Sequence, residues 1–265
     1  MCTPKSAGGL NLINLQQWNK TAIAKTCWDL KHKQDKLWIR WIHAYYIKGQ
    51  QFHEAATPQQ ACWMVRKVLE ARAITEHIQH RPNLGKSLIK IVYLQLIGSQ
   101  SRPPWKCLMF NNSARPKAIF TMWLQLQDRL LTTDRLQNWG IDVNIDCIFC
   151  QNQMETRDHL FKDCDYSTAI WRKLLLWSRN QNFTSTTWEE HAGQIVRKGK
   201  GKSVGAQIFR LIYAEFVYAV WLERNQRIFE KKSKNWESVA REIAFMCSVR
   251  ASPKIAPVLQ QFIFT

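Results

Sequence analysis

Cys147-Ile-Phe-Cys150-Gln-Asn-Gln-Met-Glu-Thr-Arg-Asp-His159-Leu-Phe-Lys-Asp-Cys164 places three thiols and one imidazole in one short segment, spaced C-x2-C-x8-H-x4-C. Cys147 and Cys150 have the separation that lets two sulfurs of a tight turn reach one ion. His159 and Cys164 complete a tetrahedron. Zinc suits this donor set, because it is redox-inert, accepts thiolate and imidazole, and is four-coordinate in structural sites. Four protein ligands leave no position for a reacting water, so the spacing predicts one structural Zn2+ and no catalytic metal. The competing reading is three core cysteines and an ordinary histidine.

Thr156 is placed to cap a short helix beginning at Arg157, with Asp158 in the favoured acidic first turn. At about 100° per residue, Cys164 would lie about 140° round that helix from His159. Both can ligate only if Cys164 falls just past the helix end. The knuckle reads as acidic, with Asp146, Glu155, Asp158, Asp163 and Asp165 against Arg157 and Lys162. An acidic loop is a poor grip for phosphate, so the segment reads as a staple for neighbouring helices.

The whole chain has the opposite character. Over 265 residues it carries a formal charge of +18, which implies an anionic partner, RNA or DNA before a membrane surface. The basic excess lies at the two ends: residues 1–50 hold eight Lys/Arg against two acids, and 201–250 hold nine against five. No signal-peptide pattern opens the sequence, and no apolar run is long enough to span a bilayer. The expectation is an intracellular protein, nuclear or cytoplasmic, not secreted and with no membrane partner. The cysteines outside the knuckle have no framework spacing and read as reduced thiols.

Helical periodicity dominates, and no set of alternating strands occurs. The fold class expected is mainly α, with helical segments around a small CCHC zinc-binding knuckle. Helices are expected over 15–29, over 35–48 with Leu37, Trp38, Trp41, Ile42 and Tyr45 on one face, and from Thr57-Pro58 onward. A loop is expected at 81–85. Residues 87–97 fit helix or strand equally. Further helices are expected over 117–131, after a Thr133 cap as far as Gly140, after a Ser167 cap, over 204–232 and over 236–246. The domains expected are 1–97, an N-terminal helical region; 98–178, the zinc-binding domain; 179–203, a basic flexible linker; and 204–265, a C-terminal helical region. Arg197, Lys198, Lys200 and Lys202 are the candidate nucleic-acid contacts. Gly201-Lys202-Ser203 is no phosphate loop, because the glycine required five residues earlier is Val196.

Several stretches together resemble the C-terminal part of plant non-long-terminal-repeat (LINE-type) retrotransposon reverse transcriptases. Pro4-Lys5-Ser6-Ala7-Gly8-Gly9-Leu10, Trp18-Asn19, Lys25-Thr26-Cys27-Trp28 and 37–46 resemble the segment after the polymerase region. Pro116-Lys117-Ala118-Ile119-Phe120, Trp123, Leu131-Thr132-Thr133-Asp134-Arg135-Leu136 and Trp139-Gly140 resemble the zinc-binding domain. The most specific part is the cysteine–histidine set with Glu155-Thr156 and Ile170-Trp171. Trp221–Phe229 resembles the segment that follows. The resemblance implies Cys147, Cys150, His159 and Cys164 as zinc ligands and carries over no catalytic residue. Polymerases of this family hold two metal ions on paired aspartates, and this sequence has no Asp-Asp dipeptide. It also shows no ribonuclease H or endonuclease signature.

The sequence therefore points to a non-catalytic zinc-stapled module that binds RNA or DNA without sequence preference, a remnant or domesticated tail of such an element. A reverse transcriptase catalytic region would join it in cis or in trans. The alternatives are a protein-interaction module or inert remnant, and a truncated polymerase completed by a separate part. Exposed Trp or Phe on a helix face with few Lys or Arg would favour a protein partner over nucleic acid.

Overall fold

A computed structural model describes every residue except Met1, Gln34, 77–83, Gln181, Asn182, Thr184, Ile263 and Thr265. The chain divides into two compact units, Met1–Arg102 and Pro103–Thr265. The described residues form helices and no strand, apart from one isolated antiparallel bridge between Asp146 and Met154. No helix among them is long and apolar enough to cross a membrane.

In the first unit, α1 (Leu15–His32) starts at Asn14, whose side-chain oxygen accepts from the N–H groups of Gln16 and Gln17. It buries Ala24, Cys27, Trp28 and Leu30. α2 (Leu37–Ile42) runs directly into a π turn (His43–Ile47) that stops at Lys48 in the left-handed conformation. α3 (Trp63–Glu70), α4 (Arg72–Thr75) and α5 (Leu84–Ile97) complete the unit, and α3, α4 and α5 pack on α1.

Three expectations are corrected here. Of the apolar face expected on the second helix, only Ile42 is buried; Leu37, Trp38, Trp41 and Tyr45 are exposed, and Ile39 and Ile47 take the core positions. The third helix begins at Trp63, not at Thr57-Pro58. The guanidinium of Arg72 donates to the Phe52 and Ala55 carbonyls and to the Thr57 hydroxyl, so these acceptors of the irregular stretch 52–57 are satisfied without a helix. The ambiguous segment 87–97 is helical, with Leu88 and Val92 buried four residues apart on one face. In the loop expected at 81–85, residues 81–83 lie outside the described residues, while Leu84 and Gly85 open α5.

The second unit contains α6 (Lys106–Met109), α7 (Pro116–Leu126), α8 (Thr133–Asn138), α9 (Asp165–Trp177), α10 (Trp188–Gly199), α11 (Val204–Asn225), α12 (Trp236–Arg250) and α13 (Ala256–Leu259). α7, α9, α10 and α12 pack on α11, which buries Phe209, Ile212, Tyr213, Phe216, Val217 and Val220. Trp171 of α9 lies among the Phe209, Tyr213 and Phe216 rings, at 4.9–5.9 Å between centroids. The Tyr213 hydroxyl, wholly buried, donates to Gln125 Oε1 at 3.2 Å. Glu215 is also buried; its carboxylate accepts from the Arg115 backbone N–H and guanidinium, which ties the start of α7 to α11.

Boundaries in this unit move for identifiable reasons. α7 ends at Leu126 instead of 131, where Asp128 takes a positive φ and the chain turns. Thr133 is not a cap: Thr132 precedes α8, and the Thr133 hydroxyl donates to the Ile145 carbonyl. Gly140 does end that segment, at φ +76°, where a side chain would be strained. α9 begins at Asp165, with Ser167 inside its first turn donating back to the Cys164 carbonyl. The long helix is α-helical to Asn225 and continues as a π turn (Gln226–Glu230), ended by Lys231 at φ +55°. The helix expected over 236–246 extends to Arg250.

Candidate metal centre

The knuckle is built by backbone hydrogen bonds. Cys147 N–H donates to Gln153 O, and Gln151 N–H to Cys147 O, so the chain reverses tightly between the first two cysteines and Met154. Thr156 Oγ1 then accepts from His159 N–H, the cap expected for a helical turn from Arg157. That turn is a π turn (His159–Asp163) in which Cys164 N–H donates to His159 O at 2.8 Å. The wider π closure brings residues five apart to the same end of the turn, which an α-helix would not do. Cys164 lies immediately past it, as the ligand reading requires.

The four ligand atoms lie within 4.8 Å of one another. Cys147 Sγ and Cys164 Sγ are 3.8 Å apart, and Cys150 Sγ and His159 Nε2 are 3.3 Å apart. A regular tetrahedron with Zn–S bonds of about 2.3 Å has S···S edges of about 3.8 Å, so the donor set fits zinc in size as well as chemistry. Cys147, His159 and Cys164 are buried. The hydrogen bond between the two facing thiols holds Cys147 down at about 5, and the same contact pushes Cys164 well up. His159 Nδ1 is buried and finds no hydrogen-bond partner among the described residues.

The knuckle is fastened to the helices beneath it. Glu155, fully buried, accepts from Arg224 Nη2 at 2.6 Å and from Nε at 3.1 Å, and its Oε1 also accepts from Thr133 N–H. Phe149 stacks on Tyr166 at 4.4 Å, and the Arg227 guanidinium lies over both rings while its Nε pairs with Glu223 at 2.8 Å. Two expectations change accordingly. Glu155 is no part of an acidic surface, and Arg224 and Arg227, counted in the basic excess of 201–250, are paired with Glu155 and Glu223. Periodicity could not pair Glu155 with Arg224. The only local hint was the place of Glu155 directly before the expected cap, Thr156. Of the other acids, Asp158 and Asp163 pair with Arg157 and Lys162.

The basic candidates lie elsewhere in the unit. The stretch expected as a flexible linker contains α10, started by a capping box between Thr187 and Glu190. Arg197 and Lys198 are in its last turn, where cations complement the helix dipole. The loop after it is held by buried Arg210, which donates to the Gly199 and Gly201 carbonyls. Arg197, Lys200 and Lys202 are exposed, and Lys198 Nζ donates to Asn180 Oδ1 at 3.4 Å.

No curated protein and no solved structure matches the chain. Residues 88–171 match the family model described as zinc-binding in reverse transcriptase, a span that runs from α5 to α9 and includes all four members of the cysteine–histidine cluster.

Proposed function

We propose that the chain is a non-catalytic, zinc-stapled part or derivative of a plant LINE-type retroelement reverse transcriptase, and that it binds RNA or DNA without sequence preference inside the cell. The observation that carries the zinc-binding, reverse transcriptase-related part of this reading is a coincidence of position. Four ligand atoms converge within 4.8 Å, and they do so inside the segment similar to the reverse transcriptase zinc-binding family. One Zn2+ held by Cys147, Cys150, His159 and Cys164 would have a structural role, since the four protein donors complete its coordination. Its binding would lock the π turn and the Cys147–Cys150 turn together, and Glu155 would transmit that order to α8 and α11.

The nucleic-acid part rests on charge. A +18 chain gains affinity by releasing counterions from phosphates, a term blind to sequence. The absence of any Asp-Asp dipeptide supports a non-enzymatic role, with a polymerase region supplied in cis or trans. The test is a pair of measurements on one preparation: primer extension with Mg2+ or Mn2+, and binding of labelled RNA and single-stranded DNA across a salt series. Binding that weakens steeply with salt, with no extension above a protein-free control, is the expected result. Extension activity would overturn the non-catalytic assignment, and absent or salt-independent binding at about 50 mM salt would overturn the nucleic-acid one.

A further inference from the structure

In an uninterrupted α-helix the buried stripe through Ile39 and Ile42 would continue at residue 46. The π turn (His43–Ile47) inserts one residue, and burial passes to Ile47 instead. His43 secures the turn, its Nε2 lying 2.8 Å from the Leu30 carbonyl of α1. An apolar face lies outside the core on this segment: Leu37 is 83% exposed, Tyr45 61%, Trp41 51% and Trp38 39%.

These rings are not loose. Trp41 and Tyr45 stack with centroids 5.6 Å apart and planes 11° from parallel. Tyr46, half-buried and packed against the core of the unit, meets Trp41 edge-on at 5.4 Å and Tyr45 at 5.0 Å. Lys36, Arg40 and Lys48 are exposed on the same segment, with Asp35 the one acid among 35–48. The first unit carries fifteen Lys/Arg against five Asp/Glu.

We propose that this face, with Trp41 and Tyr45 at its centre, is a stacking platform for single-stranded nucleic acid. It rests on the nucleic-acid reading above and gives that reading a location. Braced rings on a segment that also carries exposed cations meet the two needs of a single strand, a π-face for each base and a charge for each phosphate. A protein-docking face is depleted in lysine, whereas exposed Lys36 and Lys48 flank this one. Inserting a base between two rings requires two contacts of about 3.5 Å, hence about 7 Å. The 5.6 Å pair is too close for that, so bases stack on its outer faces. A duplex, whose bases are already stacked, offers the platform only phosphates.

The experiment uses the full chain with labelled oligo-uridine, oligo-thymidine and a DNA duplex. Trp41→Ala/Tyr45→Ala weakens single-strand binding by about tenfold or more at every salt concentration, since each base–ring stack contributes that order of affinity. The slope of log K against log salt stays as in the parent chain, and duplex binding is unaffected. Lys36→Gln/Arg40→Gln/Lys48→Gln does the reverse, reducing the single-strand slope by about 2. Trp41→Phe/Tyr45→Phe keeps the rings and retains binding. All these side chains are exposed, and circular dichroism confirms that each variant is folded. If the parent binds single strands and the alanine pair binds equally well, the platform is wrong while the nucleic-acid reading stands. A parent that binds no single strand overturns both. Parent self-association in sedimentation that the alanine pair abolishes, with nucleic-acid binding unchanged, assigns the face to a second copy of the chain and also overturns the proposal.

Discussion

Glu155 and Arg224, 69 residues apart, form an ion pair at 2.6 Å in which both side chains are almost completely removed from solvent. Buried charges are tolerated only when fully partnered. Glu155 meets that condition through the guanidinium and the Thr133 N–H. The pair makes the zinc knuckle part of the second unit's core and not an appendage on it.

Removing one member should therefore cost more than removing both. Glu155→Ala is expected to destabilise the second unit by about 3–5 kcal/mol, because Arg224 is left buried without its carboxylate. The double change Glu155→Met/Arg224→Met should recover a large part of that loss. Denaturant midpoints of the single and double variants provide the check; an additive double variant would show that the two residues act independently.

Metal loss should act locally first. The segment between Cys147 and Cys164 cannot offset an ordering entropy of about 1–2 kcal/mol per residue from its few apolar side chains. A structural zinc contributes about 10–16 kcal/mol of apparent binding free energy at neutral pH. Native mass spectrometry should find one zinc per chain, and almost none in Cys147→Ser/Cys150→Ser. On chelation, hydrogen exchange should rise over 147–164 and at the ends of α8 and α9, and leave α1 unchanged. A metal-free chain fully protected over 147–164 would reduce the four residues to ordinary packing.

His191 gives the second unit a pH dependence of definite sign. Burial holds its imidazole down at about 4, with Lys162 adding to the effect and Asp163 and Asp158 opposing it. Ser185 Oγ lies 3.2 Å from Nδ1, and the ring is packed by Phe183 and Trp188. Between pH 6.5 and 4 the unfolded chain takes up a proton that the folded chain refuses, so stability falls as pH falls. The difference amounts to about 2 kcal/mol by pH 5. His191→Phe should remove this component, and the gap between parent and variant unfolding free energies should change between pH 7 and 5. Parallel curves would refute it.

The basic loop after α10 makes a separate prediction. If about four phosphates are engaged in all, log K on single strands should fall against log salt with a slope of about −3. Lys198→Gln/Lys200→Gln/Lys202→Gln should flatten that slope if the loop takes part. Lys198 is already engaged with Asn180, so Lys200 and Lys202 should account for most of the change. An unchanged slope would remove the loop from the interface.

The sequence by itself determined the helical class, the four candidate ligands and the requirement that Cys164 fall just beyond a turn capped by Thr156. These depend on periodicity, donor chemistry and spacing over a few residues, all of which are local. Only the tertiary structure decided what depends on partners far along the chain or on a changed helical register. It turned a presumed acidic surface inward at Glu155, because Arg224 of α11 meets it there. It converted a supposed linker into α10 anchored on α11, and held 52–57 irregular through Arg72. Two of the π turns decide these placements, and a rule of 100° per residue shows neither. One brings His159 and Cys164 together, and the other passes burial to Ile47 and leaves Tyr45 outside the core. Each adds one residue to a turn, and whether that extra residue is tolerated depends on the packing around it: Ile47 buried in one case, Leu160 and Phe161 in the other.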